Sequence, residues 1–161
     1  MEQKKIAYLG LFAAIAIIFG YVESLIPFFA GIPGMKLGLA NLAVLFVLER
    51  YSWKEAALVS VVRIFIIGFM FGSGSSIMYS LAGATVSLMV MVFVKNKVGF
   101  GHLGVSVAGG ISHNIGQLMV AIPATHTMRL LYYYAPALMV SGVVTGLLIG
   151  VLTKEVSKRI P

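Results

Sequence analysis

The feature that most constrains this chain is recurrence: apolar stretches of membrane-spanning length return from one end of the sequence to the other. They cover roughly residues 5–27, 36–49, 53–71, 76–94, 102–124 and 133–153. A helix needs about 20 mostly apolar residues to cross a bilayer, with about 17–25 usual. Five of the stretches meet that length. The second is short, and suits a re-entrant or half-inserted piece as well as a full crossing. Lipid offers no hydrogen bonds to the backbone, so segments of this kind fold as helices. The expectation is an all-α integral membrane protein with six transmembrane helices, forming one transmembrane domain over residues 1–161.

Composition agrees. The chain is 60% hydrophobic and 11% charged, whereas soluble domains run near 45–50% and about 25%. A cleaved signal peptide does not explain the pattern, because apolar stretches continue to the end of the sequence. There are no cysteines, which excludes disulfides and thiolate metal sites. No metal or other cofactor is called for.

The net charge of +7 is not the footprint of a nucleic-acid partner, because its placement follows the membrane. With six spans and the N-terminus inside, Lys4, Lys5, Arg50, Lys54, Lys95, Lys97, Lys154, Lys158 and Arg159 lie inside, while only Lys36 and Arg129 lie outside. Arg63 falls within the third span. A five-span alternative with the N-terminus outside leaves Lys4 and Lys5 on the wrong side. Cytoplasmic loops are the Lys- and Arg-rich ones, so the expected location is the cell membrane, multi-pass, with both termini cytoplasmic. Trp53 falls at the inner interface, and Phe28, Phe29 and Tyr132 to Tyr134 at the outer one, as aromatic belts do.

Within these apolar stretches a few polar residues stand out: Glu23, Asn41, Arg63, His113, Asn114 and Gln117. Ionisable and amide groups at membrane depth usually face the protein interior and mark a site. At about 1.5 Å of rise per residue, all six fall in the middle or outer half of their spans. His113 and Gln117 are four apart and share a helix face, with Asn114 at its flank. Together they point to a cavity opening toward the outside. The bland alternatives remain at this stage: a Glu23–Arg63 tie between spans one and three, and amides acting as interhelical glue at ~0.6 kcal/mol each.

Two outer loops suit the rim of such a cavity. "GSGSSIMYSLAG", residues 72–83, contains Ser80 and leads into span four, and "PGMKLGLAN", residues 33–41, carries Lys36 into span two. Each offers a helix N-terminus, which favours anions, and Arg129 adds a second outer cation beside Lys36. A phosphate or carboxylate head group fits these features.

Small residues recur at four-residue spacing, the pattern that lets membrane helices approach closely. Span six has Gly142, Gly146 and Gly150; span five has Gly104, Ala108, Ser112 and Gly116; span one has Gly10/Ala14 and Ala16/Gly20. For spans five and six the expectation is packing within the chain.

The strings "ESLIP", "GMKLGLAN", "VVRIF", "YSLAG", "HNIGQL" and "SGVVTGLLIG" resemble one family along nearly the whole chain. It is the family of small membrane proteins labelled heptaprenyl diphosphate synthase component I, also called the Gx transporter family. That family is similar to the substrate-binding S components of energy-coupling-factor (ECF) transporters. The resemblance implies six helices and a small molecule bound from outside. It also implies docking through small residues of helix one, here Gly10 and Ala14, to a transmembrane coupling subunit that carries two ATPases. S components usually show Ala-xxx-Ala there; this chain has Gly-xxx-Ala. Family members also resemble a membrane component of flavin-based extracellular electron transfer, which implies a quinone ligand.

The synthase label meets a chemical obstacle. Prenyl chain elongation resembles a chemistry run by Asp-rich motifs that hold Mg²⁺ against diphosphate. All five acids here are glutamates (Glu2, Glu23, Glu49, Glu55 and Glu155), and aspartate is absent. The chain also lacks GxxxxGK[ST], the phosphate cradle of P-loop ATPases. The sequence therefore reads as a non-enzymatic binding subunit. Its alternatives are a quinone- or isoprenoid-binding subunit of a redox or prenyl diphosphate pathway, and a scaffold without a ligand. The ligand-binding candidates are Glu23, Lys36, Asn41, Arg63, Ser80, His113, Asn114 and Gln117.

Overall fold

The computed structural model describes residues 2–25, 38–125 and 130–159. Six α-helices account for most of them: α1 (Glu2–Leu25), α2 (Leu39–Arg50), α3 (Trp53–Phe71), α4 (Gly74–Phe93), α5 (His102–Thr125) and α6 (Ala135–Arg159). One π-helical turn, Val94–Val98, extends α4, and another, Leu130–Tyr134, precedes α6. No strand occurs among the described residues. The six apolar stretches thus map onto six helices, with ends shifted by a few residues.

Four of these helices are long and apolar enough to cross a membrane: α1, α4 with its π turn, α5, and α6 with the turn before it. The expected fifth, α3, has the length at 19 residues but carries Lys54, Glu55 and Arg63. With 12 residues, α2 is too short.

The helices alternate in direction. The starts of α1, α3 and α5 meet the ends of α2, α4 and α6 at one end. There Lys5 pairs with Glu55, and Lys95 and His102 both approach Glu49. This is the basic end. At the other end Glu23 of α1 meets Leu39 of α2, and Asn114 of α5 meets Leu138 of α6. Around the bundle α1 packs on α3, α3 on α4, α4 on α5 and α5 on α6, while α2 packs against α1, α3 and α6.

Helix α2 sits inside the others, with Ala40 and the unbroken run Ala43 to Leu48 all buried. A helix that is apolar all round is stable only when enclosed. Its backbone ends also need partners. At the start, Glu23 Oε1 accepts the Leu39 N–H at 2.8 Å. At the end, Lys95 Nζ donates to the carbonyls of Leu48 at 2.8 Å and Glu49 at 3.5 Å. An anion at the N-terminus and a cation at the C-terminus each complement the helix dipole, an effect of roughly 0.3–1 kcal/mol and up to ~2 when partly buried. Gly38 turns into α2 at φ 74°, a left-handed conformation that disfavours side chains.

Span six packs as its small residues predict. A Cβ on Gly146 would lie 2.7 Å from Val107 Cα, and one on Gly150 2.9 Å from Leu103 Cα. The span-five partner differs from the expected ladder. Gly110 meets α6, with its Cβ position 2.4 Å from the Gly142 carbonyl oxygen, and Gly116 meets α4 at Ala82. In span one the two small pairs divide: Ala16 is fully buried and Gly20 faces Ile67 and Ala40, whereas Gly10 and Ala14 are exposed.

Candidate functional site

Arg63 stands near the middle of α3, well inside the bundle's length. Its Nη2 donates to Asn41 Oδ1 of α2 at 3.2 Å. Its Nε is buried without a hydrogen-bond partner. A guanidinium carries five N–H donors, so this one holds donor capacity that the protein does not use. Its neighbour Glu23 contributes to the electrostatics at Arg63. The two do not form a direct ion pair among the described residues; Glu23 is tied to the α2 N-terminus and Arg63 to the Asn41 side chain. The expected tie between spans one and three therefore runs through the first turn of α2.

Around Arg63 lies a cavity of about 60 Å³, room for a handful of waters at about 10–15 Å³ each. Glu23, Asn41, Arg63, Ser80, His113, Asn114 and Gln117 all line it. Seven of the eight ligand-binding candidates thus share one cavity, supplied by α1 to α5. The eighth, Lys36, lies outside the described residues, as does Arg129. Helix α6 adds Thr145, and the backbone at Gly38 and Gly110 completes the wall.

The α5 residues are set by close contact. The His113 ring lies over Gly83 of α4, where a Cβ would come within 2.9 Å of it. Asn114 Nδ2 donates to the Leu138 carbonyl at 2.5 Å, which anchors the amide to α6. Ser112, adjacent in sequence, turns away and donates to the Ala108 carbonyl at 2.6 Å. It makes no nucleophile–base pair with His113, as their positions on the helix predict.

The anion seat expected at the start of span two is occupied by the chain's own carboxylate, Glu23. At the start of α4 the Ser73 hydroxyl accepts the Ser76 N–H at 3.3 Å, so that helix too is capped from within. Two smaller voids adjoin the cavity. One of about 40 Å³ shares Glu23, Arg63 and Ser80 and reaches Gly20 and Gly68. Another of about 30 Å³ shares Asn41, Gly110 and Thr145 and runs along α2 past Ser87 and Ser106.

Thr145 was not among the sequence candidates. Its Oγ1 donates to the Ser141 carbonyl at 2.9 Å, the i−4 bond by which a hydroxyl satisfies itself within a helix. Such a residue gives no sign in the sequence that it borders a cavity.

At the basic end the same residue types make a different arrangement. Lys95 Nζ donates to the Leu48 and Glu49 carbonyls and forms an ion pair with Glu49 Oε2 at 3.4 Å. His102 Nδ1 lies 3.6 Å from Glu49 Oε1.

No curated protein and no solved structure matches the chain. A family model, described as heptaprenyl diphosphate synthase component I, matches residues 12–156. With nine-tenths of its length matched, the chain belongs to that family.

Proposed function

We propose that this protein is a membrane-embedded substrate-binding subunit of an ECF-type uptake transporter. It sits in the membrane as a six-helix bundle with α2 enclosed by the longer helices, keeps its basic end and both termini in the cytoplasm, and takes a small polar molecule into the Arg63 cavity from the opposite side. The carrying observation is Arg63 itself: a half-buried arginine with a buried, unpartnered Nε and one protein acceptor, in a cavity edged by polar side chains from six helices. Buried donors are paired as a rule, so a ligand that brings acceptors is the natural complement. Amides, hydroxyls and an imidazole around it supply the directional contacts that a water-soluble molecule needs.

Docking to a transmembrane coupling subunit with two ATPases would use the outer face of α1. Gly10 and Ala14 are exposed, and a Cβ on Gly10 would meet nothing within 4 Å. Leu11 and Ile18 flank them and are also exposed. The absence of aspartate argues for binding without catalysis.

The family's description favours a second reading, a non-catalytic quinone- or isoprenoid-binding subunit of a membrane pathway. In that reading the same polar groups grip a head group. Native mass spectrometry of the purified chain, followed by extraction of its ligand, separates the two. A water-soluble anionic or ring-bearing compound supports the transporter subunit. A quinone or polyprenyl species replaces it with the second reading. An empty protein from cells that supply both counts against each.

A further inference from the structure

At the basic end α3 and α4 leave a groove of about 570 Å³ between them, far larger than the Arg63 cavity and separate from it. Its floor is apolar, with Ala57 of α3 and Leu88, Val92 and Phe93 of α4. Along α4 the groove extends from Thr85 to Lys97, about 18 Å at the helical rise. One leaflet of hydrocarbon is about 15 Å deep, half of a ~30 Å core. The groove therefore has the length of an acyl chain lying along one leaflet.

Its polar end is basic. The π turn after α4 directs Lys95 onto α2, while Lys97 remains exposed at the groove's edge. Across from it stands Trp53, with Lys54 Nζ 5.8 Å from its ring centre. No acidic residue lines the groove. Neither Lys54 nor Lys97 has a carboxylate within ion-pair distance among the described residues, although Lys5 and Lys95 at the same end do. Lys97 at the edge of a leaflet-deep apolar groove, with Lys54 beside the Trp53 indole that borders it, complements one chemistry: an anionic head group on a long hydrocarbon chain.

We propose that this groove is a binding site for an anionic phospholipid of the bilayer. One acyl chain lies along α4, and the phosphate sits between Lys97 and Lys54 beside the Trp53 indole. The site is independent of the Arg63 cavity and of what that cavity binds.

Trp53 is the only tryptophan and borders this groove, so its fluorescence reports on lipid there. The full chain is reconstituted in phosphatidylcholine vesicles. These contain a small, equal share of either brominated phosphatidylglycerol or brominated phosphatidylcholine, with identical acyl chains. Two lysines at about 1 kcal/mol each correspond to an anionic preference of about 30-fold at about 1.4 kcal/mol per decade. Brominated phosphatidylglycerol is expected to quench at a correspondingly lower mole fraction. In the Lys54→Gln/Lys97→Gln double variant the difference should fall to about twofold. The single Lys97→Gln variant should lie between the two, and serves alone if the double variant does not fold. Equal quenching by the two lipids in the unaltered chain would overturn the proposal. So would a preference that survives in the variants, or relief of quenching by an unlabelled polyprenyl diphosphate where unlabelled phosphatidylglycerol gives none.

Discussion

The two ends of α2 use the same kinds of residue to opposite effect. At its C-terminus Lys95 brings an ammonium to two backbone carbonyls as a hydrogen-bond donor and to the Glu49 carboxylate as an ion pair. At its N-terminus Arg63 brings five donors, and one protein acceptor, Asn41 Oδ1, receives it. The first arrangement is closed and holds a helix end. The second is open and borders the cavity. A charged residue at membrane depth is therefore not by itself a sign of function; what separates the two ends is the balance of donors and acceptors around it.

That contrast can be broken at either end. The largest expected effect on the fold is at the closed end. Lys95→Met leaves two carbonyls and a half-buried carboxylate without their cation, and should destabilise the bundle by about 2 kcal/mol. Thermal unfolding in detergent would show it as a lowered midpoint, with ligand affinity unchanged in the molecules that stay folded. A smaller effect is expected from Glu23→Gln, which keeps an acceptor for the Leu39 N–H but removes the charge facing the α2 dipole, roughly 0.5–1 kcal/mol. Because Glu23 also lines the cavity, this variant should change stability and ligand retention together, whereas Lys95→Met changes stability alone. The smallest effect is at the solvent-exposed tail of α6. Glu155 pairs with Lys158 and Arg159 there, and such surface pairs rarely contribute measurably. Glu155→Gln should leave both the unfolding midpoint and ligand retention unchanged.

Much of this was legible in the sequence because lipid penalises polarity so strongly. Any amide, imidazole or charge in an apolar run is conspicuous, and six such residues converge with Ser80 on one cavity. What the sequence hides is how α2 is held. A short apolar run such as 39–48 does not announce that it is enclosed by three other helices. Nor does Glu23 announce that it caps a helix 16 residues later, because that depends on how the chain returns between them. Lys95 read as one more inner-loop cation; only the π turn after α4 shows it directed onto α2. Thr145 gave no signal because its hydroxyl is satisfied within its own turn. Length alone makes α3 a span, but its three charges leave it outside the four helices that are both long and apolar enough to cross. The glycine spacing placed α6 correctly, but on α5 it marked Gly104 and Ala108 where Gly110 makes the close approach to α6.

The measurement that tests the central claim most directly is ligand retention, by native mass spectrometry, in the unaltered chain and in Arg63→Ala and Gln117→Ala variants shown to be folded. Losing a charge-assisted contact corresponds to about 1.5–3 kcal/mol, so Arg63→Ala should weaken binding by roughly 10- to 150-fold. Gln117→Ala, which removes a neutral partner, should weaken it by less than about tenfold. If both variants carried the ligand as fully as the unaltered chain, the Arg63 cavity would not be its binding site.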